Sequence, residues 1–161
     1  MLFVKPNSEQ QAVFLLKKST GITRILGGGT DVLVQMKSGI LEPELIVDIK
    51  NIPEIKEIKE QNEGFEIGAA VSGSDFNNFP KLKEFAPGIA EAFDLIGSAQ
   101  IQGRCTIAGN ICNASPAADT IPALSVSNCK VKIIGPNGSR EELVSNIPIS
   151  PGKNSLKDGE F

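Results

Sequence analysis

No histidine, tryptophan or tyrosine occurs anywhere in the 161 residues. Without them the chain cannot assemble a Ser-His-Asp or Cys-His nucleophile, a His-ligated zinc or a tyrosine acid–base catalyst. Cysteine is scarce: Cys105, Cys112 and Cys129 form an odd set without paired C-x-x-C spacing, so they read as reduced core thiols, not metal ligands. No apolar run is long enough to cross a bilayer, and Met1-Leu2-Phe3-Val4-Lys5-Pro6 lacks a signal-peptide core, which predicts a cytoplasmic protein with no membrane partner. A basic excess is missing too. The formal charge is -3, and lysines mix with glutamates as in Lys56, Glu57, Lys59 and Glu60, which argues against a nucleic-acid partner. A bound cofactor is the remaining source of chemistry, with the protein supplying binding, orientation and electrostatics.

The amino-terminal third reads as alternating strands and helices. A strand at Phe3 to Lys5 is followed by a helix from Ser8, its N-cap, to Lys18, with Ala12, Leu15 and Leu16 at helical spacing. Residues 22–26 read as a strand and Gly27-Gly28-Gly29 breaks it. Thr30 or Asp31 then caps a helix that stops at Gly39, and Leu45 to Ile49 is a strand of the fully buried type. Beyond it, Ile55 to Ile58 and Phe65 to Ala69 are expected to pair as a hairpin. Ser74 or Asp75 is expected to cap a short helix containing Phe76 and Phe79, and Pro87 to Ile96 to form a core helix through Ile89, Ala92, Phe93 and Ile96. Gly97 to Pro122, rich in small residues, reads as a binding loop or a place of close backbone approach. Lys130 to Ile134 and Arg140 to Val144 flank a turn at Gly135 to Gly138, and the tail from Pro151 is expected to form no element.

Two stretches carry chemistry. In Ile25-Leu26-Gly27-Gly28-Gly29-Thr30-Asp31, glycines between a strand and a helix let backbone N–H groups approach a diphosphate. Thr30 can donate to phosphate oxygen, whereas Asp31 would repel it and suits an N-cap or a ribose hydroxyl. The bland alternative is a tight turn. A Rossmann fingerprint fails here, because Val32 occupies the place of its third glycine, and Asp48 reads as a strand-end residue. The second stretch is Thr106-Ile107-Ala108-Gly109-Asn110, followed by Asn113-Ala114-Ser115-Pro116-Ala117-Ala118-Asp119-Thr120. A hydroxyl, a small-residue turn and an amide can grip phosphate and flavin edges, with Asp119 suited to sugar hydroxyls or adenine. Ordinary turn formation, with Asp119 as a helix cap, is the alternative for either piece alone.

Together, Gly-Gly-Gly-Thr-Asp and Thr-Ile-Ala-Gly-Asn-Ile-Cys-Asn-Ala-Ser-Pro-Ala-Ala-Asp-Thr resemble the FAD-binding subunit of molybdenum hydroxylases, the group that includes xanthine, carbon monoxide and nicotinate dehydrogenases. The resemblance continues through Ile46-Val47-Asp48-Ile49, Ile52-Pro53-Glu54-Ile55 and Gly152-Lys153. It implies an α+β chain with the two-subdomain FAD-binding fold of the vanillyl-alcohol-oxidase or PCMH type, divided at residues 1–53 and 54–161. It implies FAD as cofactor, held by Leu26, Gly27, Gly28, Gly29, Thr30 and Asp31 and by Thr106, Ala108, Gly109, Asn110 and Asp119, with no catalytic side chain and no metal in this chain. Ala108 stands where the family usually has glycine. The implied enzyme is an FAD-dependent oxidoreductase component that relays electrons from an iron–sulfur small subunit to NAD or another acceptor, beside a molybdopterin-binding large subunit. Family subunits continue into a further carboxy-terminal domain. The alternative is a flavin-free assembly module that keeps the fold and the subunit contacts but does not retain FAD.

Overall fold

A computed structural model describes residues 1–161. Three parallel strands form the amino-terminal sheet in the order β1-β3-β2: β1 is Leu2–Val4, β2 is Thr23–Leu26 and β3 is Leu45–Asp48. Every residue of β3 is buried, as its unbroken Leu-Ile-Val-Asp sequence demands of a central strand covered on both faces. Helix α1, Glu9–Lys18, connects β1 to β2. Ser8 caps it by accepting a hydrogen bond from the Gln11 N–H, and Ala12 and Leu16 face the core. Helix α2, Val32–Lys37, connects β2 to β3, yet the Asp31 side chain makes no capping bond because the backbone there has already turned helical.

The middle of the chain departs from expectation at three places. Pro53–Lys56 forms a 3-10 turn, so the hairpin strand begins later, with β4 at Ile58–Gln61 paired to β5 at Gly64–Ile67. The cap of α3, Gly73–Asn77, is Ser72, not Ser74 or Asp75: Asp75 is the third helical residue and completes a reciprocal capping box with Ser72. Phe79 falls outside that helix and precedes α4, Pro80–Phe85, because Pro80 resets the chain to a new first turn. Helix α5, Pro87–Asp94, buries Ile89, Ala92 and Phe93, and Ile96 just beyond it is also buried.

Gly97 to Pro122 is helical in part, and it shows the close backbone approach expected of it where Arg104 and Cys105 lie against Gly28. Three short helices, α6 at Ala99–Gln102, α7 at Ile107–Asn113 and α8 at Thr120–Val126, occupy the stretch. Gly109 and Asn110 thus lie inside a helix instead of a turn, because the Thr106 side chain supplies a cap that starts the helix ahead of them. The predicted second hairpin is present as β6, Lys130–Gly135, and β7, Gly138–Leu143, in antiparallel register. The tail is ordered, contrary to expectation. Strands β8, Pro148–Ser150, and β9, Lys153–Asn154, pair with each other, and Phe161 exchanges two backbone hydrogen bonds with Ile134.

Two apolar clusters hold these elements. One gathers Ala12, Leu16, Leu45, Val47, Ile49, Ile52, Ile55 and Ala70, around the parallel sheet. The larger one packs Phe76, Leu82, Phe93, Ile111, Leu124, Ile133 and Ile147, with the Phe76 and Phe93 rings 5.2 Å apart. The architecture is α+β, and the segment linking the clusters brings Val71, Ser72 and Gly73, all buried, beside the start of α7.

Candidate functional site

Backbone shape defines this site. The segment Gly27 to Asp31 leaves β2 where Leu26 pairs with Asp48, at the carboxyl ends of the strands. The N–H groups of Gly27, Gly28, Gly29, Thr30 and Asp31 donate to no acceptor in the chain, and Gly28 is buried. Folded proteins pair nearly all buried donors, so the free N–H of buried Gly28, continued by free N–H groups on its more open neighbours, suits an acceptor-rich anion.

The same segment lies flat against a second one. A Cβ at Gly28 would overlap the Arg104 carbonyl oxygen and stand 3.0 Å from the Cys105 Cα, and a Cβ at Gly27 would stand 3.1 Å from the Thr106 hydroxyl oxygen. Glycine is required by that approach, and again at Gly29, whose φ is +82°. Leu26 is buried beneath the turn, with its Cδ1 3.0 Å from where a Gly29 Cβ would sit.

The second segment is held from behind. The Cys105 carbonyl accepts from the Gly73 N–H at 3.0 Å, and Ser72 forms an antiparallel bridge with Thr106. Thr106 then caps α7, its Oγ1 accepting from the Gly109 N–H at 3.0 Å while its own proton stays available to donate. Ala108 is half-buried in the first turn of α7 at ordinary negative φ, so its methyl group needs no special backbone. The Asn110 Oδ1 accepts from the Thr120 hydroxyl at 2.6 Å, which leaves the Asn110 NH2 free to donate elsewhere.

Of the residues expected from sequence, the fold therefore brings Gly27 and Gly28 against Thr106, joins Gly109 to Thr106, and ties Asn110 to the start of α8. Thr30 keeps its hydroxyl 3.5 Å from the Asp31 carboxylate, and Asp31 is exposed. Asp119 is exposed beside Thr120 and makes no capping bond, so the cap expected of it is not formed.

Sequence reasoning missed Lys50 and Thr120. The Lys50 ammonium lies 2.6 Å from the Asp48 Oδ1 and donates to the Gly27 carbonyl at 2.9 Å. The Asp-x-Lys spacing at the end of β3 was the available signal. Thr120 is wholly buried, and a hydroxyl opening an apolar helix was its only sign. The cysteines are free thiols whose pKa values are all raised by burial, that of Cys112 to about 11. A shallow, open concavity lies elsewhere, lined by Ala114, Pro116, Ile121, Pro148, Ile149 and Pro151.

A family model described as the FAD binding domain in molybdopterin dehydrogenase matches residues 1–161. The chain belongs to that family. Its cofactor is FAD. This FAD binding domain is 36% identical over 136 residues to the carbon monoxide dehydrogenase medium chain of Hydrogenophaga pseudoflava, covering 84% of this chain and 47% of that one. It is 32% identical over 139 residues to a putative xanthine dehydrogenase FAD-binding subunit of Escherichia coli, covering 86% and 48%. Among solved structures, the carbon monoxide dehydrogenase of Hydrogenophaga pseudoflava lacking the Mo-pyranopterin moiety superposes with a TM-score of 0.95 at 30% identity, over 99% of this chain and 55% of that one. The chain thus spans about half the length of the relatives it matches. No helix of the FAD binding domain is long and apolar enough to cross a membrane.

The groups present suit FAD. Free N–H donors on a glycine backbone match a diphosphate, the Thr106 hydroxyl and Asn110 amide add neutral donors, and the nearest ammonium, that of Lys50, is already engaged with Asp48.

Proposed function

We propose that Gly27 to Asp31 and Thr106 to Asn110 hold the FAD diphosphate from two sides, that Asp119 binds a sugar hydroxyl or adenine, and that the chain relays electrons within a molybdenum hydroxylase. In this reading an iron–sulfur small subunit delivers electrons, a molybdopterin-binding large subunit oxidises the substrate, and NAD or another acceptor takes the electrons away in the cytoplasm. The observation that carries the site is the run of unpaired N–H groups on a glycine turn packed too closely on Arg104 to admit a Cβ at Gly28. FAD, when bound, supplies the reversible two-electron chemistry. The chain's own groups bind and orient it: backbone donors fix the diphosphate, and Thr106 and Asn110 donate beside them. The two apolar clusters are read as two subdomains, 1–53 and 54–161, with Ile55 and Ala70 reaching back across that division.

The test is flavin uptake by the purified 161-residue chain. Stoichiometric binding of added FAD, lost in Gly28→Leu, supports the site. A colourless protein that takes up no FAD yet binds the iron–sulfur or molybdopterin subunit supports the flavin-free assembly module instead.

A further inference from the structure

We infer that Lys50 is the positioning residue of the glycine turn: bridging the Asp48 carboxylate and the Gly27 carbonyl, it fixes the direction in which the Gly28 N–H is presented to FAD. The inference rests on the proposed cofactor site.

The geometry starts in the sheet. In the parallel register Leu26 lies beside Asp48, so the turn leaving β2 begins next to the residue that ends β3. Asp48 then bends the chain. Its Oδ1 accepts from the Lys50 backbone N–H at 3.1 Å and lies 2.6 Å from the Lys50 ammonium. One carboxylate oxygen therefore holds both the main chain and the side-chain end of Lys50, folding that side chain back toward β2. The Asp48 side chain is only 8% exposed and that of Lys50 28%, so this pair is shielded from the screening that weakens surface ion pairs.

From there Lys50 donates its bond to the Gly27 carbonyl, across 23 positions of sequence, at 2.9 Å. The Gly27–Gly28 peptide is planar and trans, as are all peptides of the chain, so its C=O and N–H point in opposite directions. Anchoring the carbonyl on Lys50 thereby directs the Gly28 N–H away from Lys50. That N–H is one of the donors with no partner in the chain, on the buried glycine of the turn. Glycines on both sides of the peptide would otherwise let it rotate at little cost. Lys50 does not need to touch the cofactor to act; it removes a freedom that binding would have to freeze.

The test is FAD titration of the 161-residue chain by flavin fluorescence, with thermal unfolding of each apo variant measured in parallel. Lys50→Met is expected to weaken FAD binding about tenfold to a hundredfold, the range for losing a hydrogen bond to a charged group. Lys50→Arg, which keeps charge and donors, is expected to recover most of it. Because Lys50→Met also strands the Asp48 carboxylate, Asp48→Asn/Lys50→Met is the control. It is expected to unfold near the wild-type temperature and still bind FAD weakly. If Lys50→Met binds FAD as wild type does while Gly28→Leu does not, Lys50 has no such part and the cofactor site stands. Equal binding by wild type and Gly28→Leu, or none by either, overturns the site itself and this inference with it. Full recovery of affinity in the double variant also overturns the inference, since it traces the loss to the stranded carboxylate alone.

Discussion

The hydroxyl of Thr120 donates to the carboxamide oxygen of Asn110 across 2.6 Å, joining α7 to α8 at a point where Thr120 is fully buried. Thr120→Val keeps the shape and removes the donor. The Asn110 oxygen then loses its partner in the chain, and an unpaired polar group in such a place costs roughly 1–3 kcal/mol. Urea unfolding of the apo chain is expected to show that loss in the midpoint with the slope unchanged. FAD affinity is expected to fall as well, because the amide is released to turn over. An unchanged midpoint would mean that Asn110 finds water or another donor at no cost.

Gly28 and Gly39 separate steric exclusion from backbone strain. A Cβ at Gly28 overlaps the Arg104 carbonyl, whereas at Gly39, with φ of +72°, it meets nothing within 4 Å. Gly39→Ala is expected to cost about 1 kcal/mol, the ordinary penalty for a side chain in left-handed backbone, and to leave FAD binding intact. Gly28→Ala is expected to abolish FAD binding, since the turn must lift off the 104–106 segment to admit the methyl group. The pair of titrations decides it: equal losses at the two positions would remove the case for a close-packed turn.

The strands and helices that proved legible were those whose pattern is local. Ser8 with its helix, the unbroken apolar β3 and the Gly135–Gly138 hairpin each carry their signal within a few residues. What escaped depends on distant partners. In the Gly97–Pro122 stretch, read as a binding loop or a place of close backbone approach, glycine, proline and asparagine depress helix propensity, yet side-chain capping by Thr106 and packing of Ile111 and Leu124 into the larger core make short helices there. The cap of α3 lies two or three residues before the expected Ser74 or Asp75, because all three residues are competent caps and only Ser72 has an acidic residue, Asp75, at the reciprocal position. At the site, the two glycine-containing stretches were readable as motifs, but their contact through Arg104 and Cys105, and the tether from Lys50, are set by strand register and the crossing of segments far apart in sequence.

Thiol reactivity follows from burial. Desolvation lifts all three cysteines above the ordinary thiol value of 9.0, with Cys112 at about 11. The thiolate is the reactive form, so at pH 8 the folded chain is expected to react with a thiol reagent far more slowly than a free cysteine does, and Cys112 slowest of all. Denaturant should release all three at the free-cysteine rate. Rapid labelling of Cys112 in the folded chain, located by mass spectrometry, would show that α7 opens readily.

Acid stability tests the order of the tail. Arg140 on β7 makes two hydrogen bonds to the Glu160 carboxylate, at 2.9 and 2.8 Å, and its guanidinium holds the Glu160 pKa down at about 2 from an ordinary 4.5. A carboxylate whose pKa is lower folded than unfolded stabilises the fold fully above its unfolded value, and that contribution drains away as pH falls from about 4.5 toward about 2. Glu160→Gln is therefore expected to unfold at a lower temperature than wild type at pH 7, with the gap closing through that acid window. Because the Lys157 N–H and the Arg140 side chain both donate to Glu160, the same variant is expected to loosen Phe161 from Ile134, read as faster amide exchange of those two residues. A gap that stays constant from pH 7 to pH 2 would assign the lost stability to packing and not to the ion pair.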